Sequence, residues 1–191
     1  MNPHRLRIFL IAFAFHLIAG ITVDVRGSAP MAEVLDDVGD QQGVLVHLGC
    51  EDATRSLALH GDGKFLVQAL DRDAAKVNAA RELIQSAEKY GAVSVNVLVG
   101  KSLPFADNLI NVLVVDDASG ISRDEMLRVV RPLGTVWLAQ HRAEQPGTDK
   151  WQKIVKPWPS SMDQWTHFLH DASGNAVSKD RQIGPPRRLQ W

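Results

Sequence analysis

The sequence lacks several features that would assign a protein to a class directly. It has one cysteine, Cys50, so no disulfide can form within the chain and stability has to come from a hydrophobic core. Its 21 basic and 22 acidic residues give a net charge of -1, and the basic pair Arg187 and Arg188 is too short to indicate a nucleic-acid partner. A G-x-G-x-x-G turn is absent, which argues against a dehydrogenase, and Lys101 lacks the glycine-rich run of a nucleoside-triphosphate-binding loop.

Long hydrophobic runs are scarce as well. Residues 8–23, IFLIAFAFHLIAGITV, follow a short basic segment and are short for a membrane span. This order is typical of a secretory signal, so residues 1–29 are predicted to be a signal peptide that is either cleaved or kept as a membrane anchor. The protein is therefore expected to be exported, to the periplasm or the cell envelope.

The central part of the chain alternates strand and helix patterns. Almost continuous apolar runs, typical of strands covered on both faces, are separated by segments with helical spacing. This alternation predicts an α/β domain over residues 31–145, with a doubly wound, mostly parallel, Rossmann-like sheet. The predicted strands are 43–48, 65–70, 93–99, 109–115 and 134–139, and the predicted helices are 31–40, 52–59, 74–90 and 123–130.

Ligands of doubly wound sheets bind at the carboxyl ends of the strands, so the residues after each strand are the candidates for a site. A glycine turn at Gly49 follows the first strand, and Asp71 ends the second strand about twenty residues later, where a carboxylate would hold a ribose. Asp71 can equally be a turn or capping acid. Asp116 and Asp117 after the fourth strand either contact a substrate or simply end the strand. Cys50 is either a reactive thiol or a packing residue, and no partner base favours the first reading.

Four stretches in order resemble the motifs of class I S-adenosylmethionine-dependent methyltransferases. They are "VLVHLGCEDA", "ALDRD", "GKSLPFADNLINVLVV" and "EMLRVVRPLGTVWL", and together they cover about residues 34–140. The resemblance implies S-adenosylmethionine as cofactor and an unidentified methyl acceptor, with transfer achieved chiefly by positioning. The implied cofactor-binding residues are Gly49, Cys50 and Glu51 at the methionine end, Asp71 and Arg72 at the ribose, and Lys101, Ser102 and Leu103 beside the adenine.

Four positions depart from the motifs of that family. Glu51 replaces a glycine, Lys101 replaces an aspartate that accepts a hydrogen bond from adenine, and Asn111 stands where aspartate is usual. The position of the family's third glycine is filled by Ala53 or Thr54, depending on the alignment. Two hypotheses follow: a methyltransferase-like enzyme domain, or a non-catalytic Rossmann-like module that acts as a spacer or interaction domain of an exported protein.

Residues 146–191 show no regular period and are predicted to be a linker or tail. The segment from Lys156 onward is similar to the stretch that leads into a pyrroloquinoline-quinone-type β-propeller in exported planctomycete proteins, which implies such a propeller downstream. Trp158, Trp165 and Phe168 are expected to pack the tail onto that neighbouring domain.

A histidine pair in this tail could be read as a metal site. His167 and His170 are three residues apart and precede Asp171, but no further ligands complete a set of four, and His141 lies across a linker. No metal site is therefore predicted.

Overall fold

The computed structural model describes residues 29–39, 41–51, 53–61, 63–118, 120–140 and 150–181. Residues 1–28 of the predicted signal segment, His141 and the Arg187–Arg188 pair lie outside these residues. The elements are α1 (Ala29–Val38), β1 (Gly43–Leu48), α2 (Thr54–Leu59), β2 (Phe65–Asp71), α3 (Ala74–Ser86), β3 (Val93–Val97), β4 (Ile110–Val115), α4 (Arg123–Val129), β5 (Val130–Gln140) and β6 (Lys150–Val155).

The strands form one sheet in the order β3-β2-β1-β4-β5-β6. The first five strands run parallel, and β6 pairs antiparallel with β5 from Thr135↔Val155 to Gln140↔Lys150. The predicted α/β fold with a mostly parallel, doubly wound sheet is confirmed. The order reverses between β1 and β4, which makes the carboxyl ends of these two strands the switch point where such sheets bind ligands.

The sheet extends further than the sequence predicts. Strand β6 lies in the segment predicted to be an irregular linker, where exposed Gln152 and Lys153 interrupt the apolar signal of an edge strand. Strand β5 begins at Val130 instead of residue 134. The residues Pro132-Leu133-Gly134, whose composition predicts a turn before the strand, therefore lie within it. The strand is irregular at this point: Leu133 has a φ of 61°, and the register of β5 against β4 shifts between Ile110 and Val112.

Helix α3 ends earlier than predicted. Its face of Val77, Ala80 and Ile84 is fully buried, as the helical spacing indicates, but Leu83 is 37% exposed. The helix stops at Ser86 because Glu88 adopts a left-handed conformation with a φ of 54°, which breaks the helical backbone before the predicted end near residue 90.

Two apolar clusters cover the two faces of the sheet. Successive residues of the central strands, such as Leu45 and Val46, point to opposite faces. One face packs against α1, α2 and α3, and the other against α4 and the loop residues Leu98 and Leu103. Among the described residues, no helix has both the length and the apolarity needed to cross a bilayer.

Lys156 ties the end of β6 to α4. Its Nζ donates to the carbonyls of Leu127 at 2.6 Å and Val130 at 2.8 Å and to Oδ1 of Asn108 at 2.6 Å. These carbonyls lie at the C-terminal end of α4, where backbone acceptors have no partner within the helix. Burial lowers the pKa of Lys156, against a smaller opposing effect of the Asp107 carboxylate.

We expect Lys156→Met to lower the free energy of unfolding by about 3 kcal/mol, because it removes hydrogen bonds from a charged donor and leaves the carbonyls unpaired. Urea denaturation of the whole chain measures the change. Lys89→Met, at an exposed lysine, is the matched control and should change stability by less than about 0.5 kcal/mol. Equal effects of the two substitutions would contradict this role of Lys156.

Candidate functional site

The turn after β1 has the backbone of a glycine-rich loop with only one glycine. Three alternate residues are left-handed: Gly49 with a φ of 83°, Glu51 with 36° and Ala53 with 64°. A Cβ on Gly49 would lie 2.7 Å from the backbone nitrogen of Asp117, so this position accepts only glycine. The two other glycines of the motif are therefore replaced without loss of the turn, at the cost of backbone strain.

The Glu51 side chain points away from the protein. It is 83% exposed, and its Oε1 lies 4.0 Å from Nζ of Lys76 on α3. Its carboxylate is thus solvated and close to a positive charge, so its repulsion of a negatively charged group at the turn is weak.

Asp71 and Arg72 lie beside this turn. The Gly49 N–H donates to the Leu70 carbonyl at 2.8 Å, which brings the ends of β1 and β2 together. Oδ1 of Asp71 accepts from the Asp73 N–H at 2.9 Å, so Asp71 does shape its own turn. In the described part of the chain no hydrogen bond engages Oδ2 of Asp71, which leaves one oxygen for a ligand hydroxyl. Arg72 donates to the Gly100 carbonyl at 2.6 Å and so links the loops after β2 and β3.

The loop after β3 carries the three residues that the sequence places beside an adenine. Lys101 and Ser102 are exposed, whereas Leu103 is 3% exposed and packs in the core beneath them. Oε1 of Glu125 on α4 accepts from the Leu103 N–H at 2.6 Å, and Arg128 donates to the Leu103 carbonyl at 3.1 Å. The Arg128 hydrogen bond, with help from the Leu103 N–H, lowers the pKa of Glu125 to about 2, so this anchor stays ionised at neutral pH.

A buried polar network that the sequence analysis missed joins β1, α2 and β4. His47, fully buried in β1, has Nδ1 at 2.7 Å from Oγ of Ser56 and Nε2 at 2.8 Å from Oδ2 of Asp116. Arg55 forms an ion pair with the same Asp116 oxygen. A histidine inside an apolar strand, with an acid at the end of another strand, was the available signal. The network fixes the Asp116 loop against the glycine turn.

Asp116 is ionised within this network. Burial by itself would raise the pKa of Asp116, but the His47 hydrogen bond and the charges of His47 and Arg55 together outweigh it and lower the pKa. Of the two readings of Asp116, the hydrogen bonds support a structural role.

Cys50 lies under the turn. Its side chain is 1% exposed and packs in the apolar cluster with Ala53 and Leu59, so only the backbone of Cys50 can reach a ligand at the turn. This burial favours the packing reading over a reactive thiol. Asn111, the third departure from the motif, accepts from the Val44 N–H at 3.0 Å through Oδ1, which is a structural contact between β4 and β1.

The two histidines of the tail lie in a turn and not on one face of a helix. His167 and His170 pair across the turn, and Nε2 of the buried His170 lies 2.5 Å from Oδ2 of Asp163. The hydroxyl and N–H of Ser173 lower the pKa of Asp171 to about 2. Among the described residues, no group of three or more potential ligands is arranged to hold a metal ion.

Asp116→Asn should lower the free energy of unfolding by about 2 kcal/mol at pH 7, because it removes a buried charge that is bonded to His47 and Arg55. Since the folded pKa of Asp116 is below the ordinary 3.8, its contribution is complete above that pH and is lost as the pH falls through the folded pKa. Urea denaturation at pH 7 and pH 3 should therefore show a difference from the wild type that shrinks in acid. Asp124→Asn, on the exposed first turn of α4, is the control, and a difference that persists at pH 3 would refute the assignment.

Glu51→Gly should raise the free energy of unfolding by about 1 kcal/mol, because glycine adopts the left-handed conformation without strain. Thermal and urea unfolding measure the gain. Glu51→Ala removes the carboxylate but keeps the Cβ, so it should give no comparable gain. A similar gain in both variants would show that charge, not backbone strain, is responsible.

No protein-family model matches the chain, and a search of curated proteins gives no match. Solved structures do resemble it. Geranyl diphosphate C-methyltransferase from Streptomyces coelicolor A3(2), in complex with Mg²⁺, geranyl diphosphate and S-adenosyl-L-homocysteine, is 17% identical with a TM-score of 0.52, and the match covers 59% of this chain and 46% of that one. The [4+2]-cyclase SpnF is 21% identical with a TM-score of 0.53, covering 63% and 47%.

A Methanococcus maripaludis protein assigned to the S-adenosylmethionine-dependent methyltransferases is 18% identical with a TM-score of 0.51, covering 57% of this chain and 52% of that one. The chain thus spans about half the length of the structures it matches. Because a cyclase is among them, the likeness does not fix a reaction. What it does establish, together with the strand order and the glycine turn, is that the six-stranded sheet and its flanking helices have the class I S-adenosylmethionine-dependent methyltransferase fold.

Proposed function

We propose that the domain binds S-adenosylmethionine at the carboxyl ends of β1 to β3 and acts as a methyltransferase on an unidentified acceptor. The observation that carries the proposal is the conformation of the turn after β1. Gly49, Glu51 and Ala53 keep three left-handed positions in a loop where only Gly49 is a glycine. Strain of this kind persists only where the surroundings hold it, and it is most often found at functional sites.

The residues at this edge fit the cofactor. The strained turn offers backbone groups to the methionine end, as a glycine-rich loop does, and Gly49 keeps the approach open. Oδ2 of Asp71 is available for the ribose hydroxyls, and Arg72 holds the neighbouring loop in place through Gly100. Lys101 supplies no acceptor for the adenine amino group, so the adenine would rest on the apolar parts of the loop after β3.

When bound, the cofactor supplies an electrophilic methyl group on a sulfonium. The contribution of the chain is binding and orientation: the turn and Asp71 fix the two ends of the ligand, and the His47–Asp116 network keeps the loop after β4 at a constant distance from the turn. No side chain at this edge is assigned as a general base, so the acceptor is proposed to be activated by its own chemistry or by solvent.

A second candidate is a non-catalytic interaction module of an exported protein with a propeller downstream. Exposed aromatic side chains in the tail favour it: Phe168 is 95% exposed and Trp165 is 56% exposed. Exposed aromatics held on an ordered turn are typical of contact surfaces. Under this proposal residues 1–29 direct export, and the cofactor site is a remnant.

S-adenosylhomocysteine binding to the whole chain separates the two candidates. Calorimetric titration should give micromolar affinity for the wild type, and Asp71→Asn should weaken binding about ten- to hundredfold, because a neutral amide loses the charge-assisted bonds to the ribose.

Asp36→Asn, at an exposed acid of α1, is the matched control and should bind like the wild type. Absence of heat and of any thermal shift at millimolar ligand would refute the methyltransferase proposal and leave the interaction module.

A further inference from the structure

A small apolar pocket lies away from the glycine turn, between α4 and the edge of the sheet. It has a volume of about 150 Å³, and seven of the nine lining residues that the structure describes are apolar. Ile121 comes from the loop after β4, Met126 from α4, Leu138 from β5 and Ile154 from β6. A cavity of this size and polarity is large enough for one benzene ring.

Arg123 gives the pocket a permanent positive charge. It is an exposed residue that lines the pocket, and in the described part of the chain its guanidinium has neither an ion pair nor a hydrogen bond. Among the described residues that line the pocket, the only other polar one is Gln152, whose Oε1 accepts from Gln140 at 3.3 Å. None of these described lining residues is an acid, so they combine an apolar interior with one cation. Arginine binds carboxylates through two parallel hydrogen bonds, which makes an anionic group on an apolar ring the complementary ligand.

One loop joins the pocket to the candidate cofactor site. Asp116 binds His47 beside the glycine turn, and Ala118, two residues further on, lines the pocket. The Ile121 N–H donates to the Ala118 carbonyl at 2.8 Å, and both residues line the pocket. A molecule in the pocket would therefore lie next to the loop that borders the cofactor.

We propose that this pocket binds a small aromatic carboxylic acid, with the ring among Ile121, Met126, Leu138 and Ile154 and the carboxylate on Arg123. The proposal concerns binding only, and it goes beyond the proposed function without depending on it. Binding itself depends on the pocket alone.

Sodium benzoate is the probe, titrated into the whole chain and followed by ligand-observed NMR and calorimetry. We expect saturable binding to the wild type, and at least tenfold weaker binding of benzamide, which has the same ring without the charge. Arg123→Gln should weaken benzoate binding about tenfold and abolish the preference over benzamide, whereas Lys89→Gln, which removes an exposed lysine of the segment after α3, should leave both affinities unchanged.

Leu138→Trp fills the pocket and should abolish binding of both probes, with thermal unfolding as the check that the variant folds. Equal affinity for benzoate and benzamide, or unchanged benzoate binding in the folded Leu138→Trp variant or in Arg123→Gln, would overturn the proposal.

Parallel titration with S-adenosylhomocysteine keeps the two proposals apart. Benzoate binding without S-adenosylhomocysteine binding would refute the methyltransferase and leave the pocket as a ligand site. The reverse result would refute the pocket and leave the methyltransferase.

Discussion

The close approach of β1 and β4 at their carboxyl ends is the constraint on which the rest of the site depends. The Asp116 N–H donates to the Leu48 carbonyl at 2.9 Å, and the absence of a Cβ on Gly49 lets the backbone of Asp117 pack against the turn. His47 then reaches Asp116 from within β1. The sheet order reverses at these two strands, and ligands of such sheets bind at this reversal. The contact between β1 and β4 therefore lies at the base of the crevice where a ligand would bind.

Charged side chains on and beside α4 extend this arrangement to the neighbouring segments. Arg128 and Glu125 on α4 hold the loop after β3, and Lys156 closes the C-terminal end of the same helix. Since α4 has only seven residues, it could not be stable as an isolated helix. Its buried residues Met126 and Val129 lie in the apolar cluster that contains Leu103 and Val136, and this packing fixes its position. This short helix thus supports both the candidate cofactor loop and the small pocket beside β5.

Most of the fold could be predicted from the sequence, because buried parallel strands are apolar runs and amphipathic helices have their own period. The parts of the sheet that the sequence did not predict depend on pairing between strands. Strand β6 is an edge strand with polar residues, and its strand conformation comes from pairing with β5 instead of from local preference. Pro132 and Gly134 predict a turn inside what is β5, and the backbone of Leu133 between them is indeed left-handed.

The sequence by itself determined the doubly wound α/β class, the glycine turn at Gly49 and the acid that ends β2, because each depends on local periodicity or on the conformational freedom of one residue. Only the tertiary structure decided that Glu51 and Ala53 take left-handed conformations, that His47 binds Asp116, and that Arg123 borders an apolar pocket. Each of these involves groups far apart in the chain or a backbone strain that only packing can hold, and no local pattern of residues carries that information.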